Sequence, residues 1–181
     1  MVTRIQRVEN NMANFEIAFE QMIKDEGGYV LHEVAGDTGG MTYAGIARNK
    51  NPHWKGWPYI DSKELGGPLT GLVREFYKLE FWDKMRGDEI REQDIANSIF
   101  NFGVNAGMSM GIKLAQLVVG ATPDGGIGPR TIELLNNQNP SDFRKSYALT
   151  KIARYAEICN KNRTQSKFLL GWINRTLGGL K

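Results

Sequence analysis

A mainly α fold is predicted for this 181-residue chain, on three observations. Apolar residues recur at helical spacing along most of its length. The Gly, Pro and Asn clusters fall between those runs rather than inside them. Alternating runs of the kind that make strands are nearly absent, and only residues 29–44, after the first helix, leave room for a small hairpin or a glycine-rich active-site loop.

Taken in order, Phe15, Ala18, Phe19, Met22 and Ile23 occupy one face of a helix over 14–25, which Gly27 and Gly28 stop. A short helix is expected near Gly45–Asn49, and the segment "NPHWKGWPYID" reads as a loop. Leu69, Leu72, Val73, Phe76 and Tyr77 mark the next helix, ending near "FWDKMRGD". Ile95, Ile99 and Phe102 predict a helix over 92–104, and Ile112, Ala115, Val118 and Val119 one over 108–119. "GATPDGGIGP" is a turn. Pro129 then opens a helix to Asn136, and Asn139-Pro140 opens a long one through Asn160, since proline suits the first helical position. Residues 167–177 close the chain, making about seven helices. The organisation expected is a catalytic-looking region over 13–95 and a regular helical region over 96–181, packed as one compact unit.

Bulk properties exclude several classes. The 41% apolar and 24% charged fractions are those of an ordinary globular protein. No window approaches the length of apolar chain that a membrane span needs. The N-terminal stretch lacks the apolar core of a Sec-type signal, so synthesis in the cytoplasm and another route to any external site are expected. One cysteine, Cys159, precludes an internal disulfide and a cysteine zinc cage, and it sits at core spacing. Two histidines, His32 and His53, give no metal-ligand spacing. No metal and no cofactor are expected, and the chemistry falls to carboxylates. The net charge of +3 is uneven: residues 141–181 sum to +7 and residues 1–140 to −4. The basic end suits either a solvated face or an anionic polymer. It lacks the basic-aromatic interleaving of a nucleic-acid binder.

The stretch "KDEGGYVLHEVAGDTGGMTYAGI" is the chemically unusual one. Glu26 stands where the first helix ends, at the negative pole of the helix dipole, beside Asp25 and close to Tyr29. Each of these disfavours ionisation, which is what a general acid requires. Asp37 lies between glycines in a polar loop where it stays charged, and Thr42 and Tyr43 add hydroxyls. Two carboxylates with environments that push their pKa values apart form the pair used in glycoside hydrolysis. The bland alternatives are a helix-end surface Glu, an Asx-turn Asp and a capping Thr.

The motif "DEGGYV…GDTGGMTYAGI" resembles the signature of glycoside hydrolase family 108, the lysozyme-like N-acetylmuramidases of phages and bacteria. The similarity continues through "FYKLEFWDKM", "IANSIFNFGVNAG", "PDGGIGPRTIELL" and "FLLGWINR", about residues 14 to 178. It implies a lysozyme-like helical fold with a C-terminal peptidoglycan-binding region. It implies cleavage of the β-1,4 bond between N-acetylmuramic acid and N-acetylglucosamine, in an endolysin or related monomer that reaches the wall by holin-type or other release. The family's acid falls on Glu26. The order Glu26, Asp37, Thr42 resembles the Glu…Asp…Thr set of phage lysozymes, in which Asp and Thr hold the attacking water. The spacings here are longer, and Glu33 competes with Asp37 as the second carboxylate. Asn101 and Asn105 are expected to line the cleft or to tie helices together. Tyr29, Tyr43, Trp54 and Trp57 are expected to contact sugar, with loop packing the alternative for the tryptophans. The rival functions are a lytic transglycosylase and a non-catalytic wall-binding or secretion-associated protein.

Overall fold

The structure is a computed structural model that describes residues 12–25, 27–32 and 40–180. The order of elements is α1 (Phe15–Asp25), β1 (Leu31–His32), β2 (Thr42–Tyr43), β3 (Ile46–Ala47), α2 (Trp57–Asp61), α3 (Gly67–Tyr77), α4 (Gln93–Ala106), α5 (Met108–Val119), α6 (Pro129–Asn136), α7 (Pro140–Lys161) and α8 (Leu169–Gly178). The fold is mainly α and lysozyme-like, with one small antiparallel sheet ordered β1-β2-β3.

Helix α1 buries the five residues that its periodicity selects: Phe15, Ala18, Phe19, Met22 and Ile23. It ends in a Schellman motif, with the Gly28 N–H donating to the Ile23 carbonyl at 2.8 Å and the Gly27 N–H to Lys24 at 3.1 Å. Both glycines have positive φ, +88° and +85°, so a side chain at either would be strained. The expected hairpin forms, with Leu31 opposite Tyr43 and His32 opposite Thr42. A third strand joins it where Thr42 faces Ala47.

Two expectations fail in this region. The Gly45–Asn49 segment is strand and turn rather than helix, because Ala44 and Gly45 both take positive φ and reverse the chain. Part of "NPHWKGWPYID" is helical: Pro58 sits in the first turn of α2, and Trp57 and Ile60 are buried under it. Helix α3 continues as one wide π-helical stretch, Lys78–Trp82. That stretch turns Trp82 fully inward, where its indole N–H donates to Asp88 Oδ1 at 2.7 Å and its ring packs between Phe15 and Phe100.

Helices α4 and α5 are joined through Gly107 and pack closely, because Gly103 and Gly111 face each other and a Cβ at Gly111 would meet the α4 backbone at 3.2–3.3 Å. The fully buried Tyr147 of α7 fixes this pair, its hydroxyl donating to the Gly111 carbonyl at 2.9 Å. Helix α4 runs unbroken through residue 95 and contacts α1, α5 and α7. The side chain of Asn136 closes the junction, accepting from Arg91 N–H at 2.8 Å and donating to the Glu89 carbonyl at 2.9 Å. Cys159 is a buried free thiol, as its spacing indicates. The "PDGGIGP" turn is a structural clamp: buried Gln116 donates to Asp124 Oδ1 and the Gly126 carbonyl, both at 2.8 Å, and accepts from Gly125 N–H at 2.9 Å.

Candidate active site

Among the described residues, a cleft of about 780 Å³ lies between the C-terminal half of α1, one face of α4, and the helices α7 and α8. Its floor and first wall come from α4. Asp94, Asn97, Ser98, Asn101 and Asn105 recur at helical spacing, so one polar stripe faces the cleft while Ile95, Ile99 and Phe100 face the core. Helix α1 adds Gln21 and Asp25 one turn apart. Asp25 is the last residue of α1, so the cleft reaches the helix end at which the sequence places Glu26.

The opposite wall differs in character. Helix α7 contributes Arg144, Lys151, Arg154 and Tyr155, and α8 contributes Trp172 and Arg175. Trp172 lies between Tyr155 and Phe168, with ring centroids at 5.1 and 5.9 Å. Lys151 Nζ rests over the rings of Tyr147 and Phe102, at 4.7 and 5.3 Å. Burial lowers its ammonium pKa to about 8. Arg144 is engaged with Asp94 at 3.2 Å and with the Gly179 carbonyl at 2.7 Å.

The proposed site residues separate into three groups. Glu26, Asp37 and the alternative Glu33 lie outside the described residues. Asn101 and Asn105 are in the cleft. Asn105 ties helices: its amide donates to the Asn101 carbonyl at 2.9 Å, and its oxygen accepts from Arg175 of α8. Asn101 Oδ1 is buried with no donor among the described residues. Thr42 is in β2, part-buried, with its hydroxyl 3.5 Å from the Gly40 carbonyl. Exposed Tyr29 has a phenol held above its usual pKa by burial and by the neighbouring Tyr43 and Glu20.

Two aromatic assignments need correction, and a third residue lies away from this cleft. Tyr43 is only 2% exposed, because in the sheet register it points inward beside Ile46. Trp57 is 3% exposed, its N–H donating to the Asn51 carbonyl at 2.6 Å and its face covered by the Arg48 guanidinium. Trp54 packs edge-on against Trp57 and Phe76. It borders a smaller depression with His53, Leu72 and Leu79, apart from this cleft. Tyr43 and Trp57 are thus buried packing residues, and Trp54 is half-buried at the edge of its own depression.

Residues 19–107 match the family model of glycosyl hydrolase 108. That part of the chain belongs to the glycosyl hydrolase 108 family. Residues 110–177 match a second model, a predicted peptidoglycan domain. Comparison with curated proteins gives no match. Among solved structures the chain is similar to one titled "Structure of Brucella abortus SagA", at 20% identity and a TM-score of 0.62. The similarity covers 92% of this chain and 95% of that one, and it establishes a shared fold.

The glycosyl hydrolase 108 region therefore supplies α1, the sheet and α4, and the predicted peptidoglycan domain supplies α7 and α8. The cleft is walled by both. In coarse terms the chain is a glycoside hydrolase of the peptidoglycan-hydrolase class. The cleft residues that sequence reasoning passed over are Gln21, Asn97, Lys151, Arg154 and Trp172. The polar stripe of α4 carried a readable signal, since Asp94, Asn97, Ser98, Asn101 and Asn105 share one helical face.

Proposed function

We propose that the chain is an N-acetylmuramidase, cutting the β-1,4 bond between N-acetylmuramic acid and N-acetylglucosamine with Glu26 as the general acid. One observation carries this assignment. A long cleft lined by carboxamides, which match the N-acetyl and hydroxyl groups of an amino-sugar strand, ends at the last turn of α1, next in sequence to Glu26. The negative pole at the C-terminal end of a helix disfavours ionisation of a carboxyl beside it, which suits a general acid. Asn101, in the middle of that carboxamide stripe, is the residue this reading assigns to the N-acetyl group.

In the reaction, the Glu26 carboxyl gives its proton to the glycosidic oxygen as the C1–O bond breaks. The oxocarbenium-like sugar is stabilised by a second carboxylate from the chain between β1 and β2, where Asp37 and its competitor Glu33 lie in sequence. Water, held by that carboxylate with help from the Thr42 hydroxyl, adds to C1 and yields a reducing end. No step calls for a metal or cofactor. The enzyme acts as a monomer on the wall after holin-type or other release.

Mass spectrometry of digested sacculi tests the assignment. Fragments ending in reducing N-acetylmuramic acid are expected. Fragments ending in 1,6-anhydro sugar would identify a lytic transglycosylase instead, and no fragments at all would leave a wall-binding protein.

A further inference from the structure

The two walls of the cleft carry unlike charge. On α7, Lys151 and Arg154 stand three residues apart, so both project into the cleft from neighbouring turns. Among the described residues neither has an acidic partner, although nine ion pairs form elsewhere. Arg144 and Arg175, by contrast, are occupied by Asp94 and Asn105. Of these two cations without a carboxylate partner, Lys151 has given up part of its hydration for aromatic faces, which replace it only in part. Such an arrangement is stabilised when an anion enters between them.

The glycan backbone of an intact wall offers no such anion, because the lactyl carboxyl of each muramic acid is consumed in the amide link to its peptide. The nearest negative charges on the strand are the free carboxylates of the stem peptide. With the glycan lying along the α4 stripe, a stem leaves it toward the α7–α8 wall. On the muramidase function proposed above, we infer that Lys151 and Arg154 form a binding site for a carboxylate of the stem peptide. The predicted peptidoglycan domain thereby reads the stem within the same cleft in which the other half cuts the glycan. Trp172 borders the site, and the accessible part of its indole suits the aliphatic part of a stem residue.

The test uses the full chain and sacculi freed of secondary anionic polymers. Half of the sacculi are left native. In the other half the stem carboxylates are converted to amides with carbodiimide and ammonia. Binding by cosedimentation and reducing-end release are measured on both. Wild type should bind native wall about tenfold more tightly than amidated wall, the worth of one charge-assisted contact. Lys151→Met, which keeps the length of the side chain over Tyr147 and Phe102, and Arg154→Gln should each lose that preference while binding amidated wall like wild type. Equal binding of wild type to both walls would overturn the inference, and so would variants that keep the preference. A preference that depends on restoring the secondary polymers would also overturn it, by locating the anion elsewhere. If no reducing ends appear on either wall while the preference holds, the muramidase assignment falls and the stem site stands.

Discussion

The two walls of the cleft are both helical and both polar, yet they are built on different principles. The α1–α4 wall presents carboxamides and two acids from helices whose other faces are deep core. The α7–α8 wall presents cations and aromatic rings from helices that are mostly solvent-exposed. The first suits neutral sugar and ends at Asp25, the last residue of α1. The second suits charge and apolar side groups. On the function proposed above, bond cleavage falls to one half of the chain and substrate selection to the other, within one shared cleft. Changes on the first wall should therefore act on turnover, and changes on the second on binding.

The largest expected effect tests the first wall. Glu26→Gln should lower the rate of reducing-end release about a thousandfold, the usual worth of a positioned general acid, with wall binding retained in cosedimentation. Next in size is a break in the frame that carries the second wall. Gln116→Leu removes the clamp on Asp124, Gly125 and Gly126. It should cost about 2–4 kcal/mol of stability in denaturant unfolding. Its kcat should be spared under conditions where the variant stays folded.

A smaller effect comes from pH. Lys151 shares the cleft with Asp25 from α1, Asp94 from α4, Arg144, Arg154 and Tyr155 from its own helix, and Arg175 from α8. Its ammonium loses its proton at about 8, lowered by burial. The preference for native over amidated wall should fade as pH rises through that value, and Lys151→Met should show no such change. The sign for stability is the reverse. The folded-state pKa lies below the ordinary lysine value of 10.5, so the unfolded chain binds more protons between the two. The contribution of Lys151 to stability is constant below pH 8 and grows from there to 10.5. Smallest of all, Trp57→Phe should leave KM and kcat unchanged and cost about 1 kcal/mol for the lost bond to the Asn51 carbonyl, measured by thermal unfolding.

Most of the helical frame was legible in the sequence because it depends on short-range signals. Proline at the first turn placed the starts of α6 and α7, and Gly27-Gly28 placed the end of α1. The misreadings came where tertiary packing outweighed local pattern. The "NPHWKGWPYID" segment looks like loop because its Pro and Gly are breakers. It folds as α2 because Trp57 and Ile60 have a core to enter. The same burial explains why Trp57 and Tyr43 looked like sugar contacts and are not. A ring in a polar segment reads as exposed until the partner that covers it, such as Arg48 over Trp57, is known. Asn101 and Asn105 were placed in the cleft by resemblance, but their unlike roles emerge only once α8 brings Arg175 against Asn105. Lys151 and Arg154 were visible only as part of a basic C-terminal segment. Composition cannot distinguish a solvated face from two unpaired cations on a cleft wall.

The central claim is that the turn after α1 supplies the acid for glycan cleavage. Its most direct measurement is the initial rate of turbidity loss of purified peptidoglycan, with wild type beside Glu26→Gln at equal bound protein. Rapid clearing by wild type and none above background by the variant is the predicted result. Equal clearing by the two would contradict the assignment of Glu26 and, with it, the division of labour between the walls.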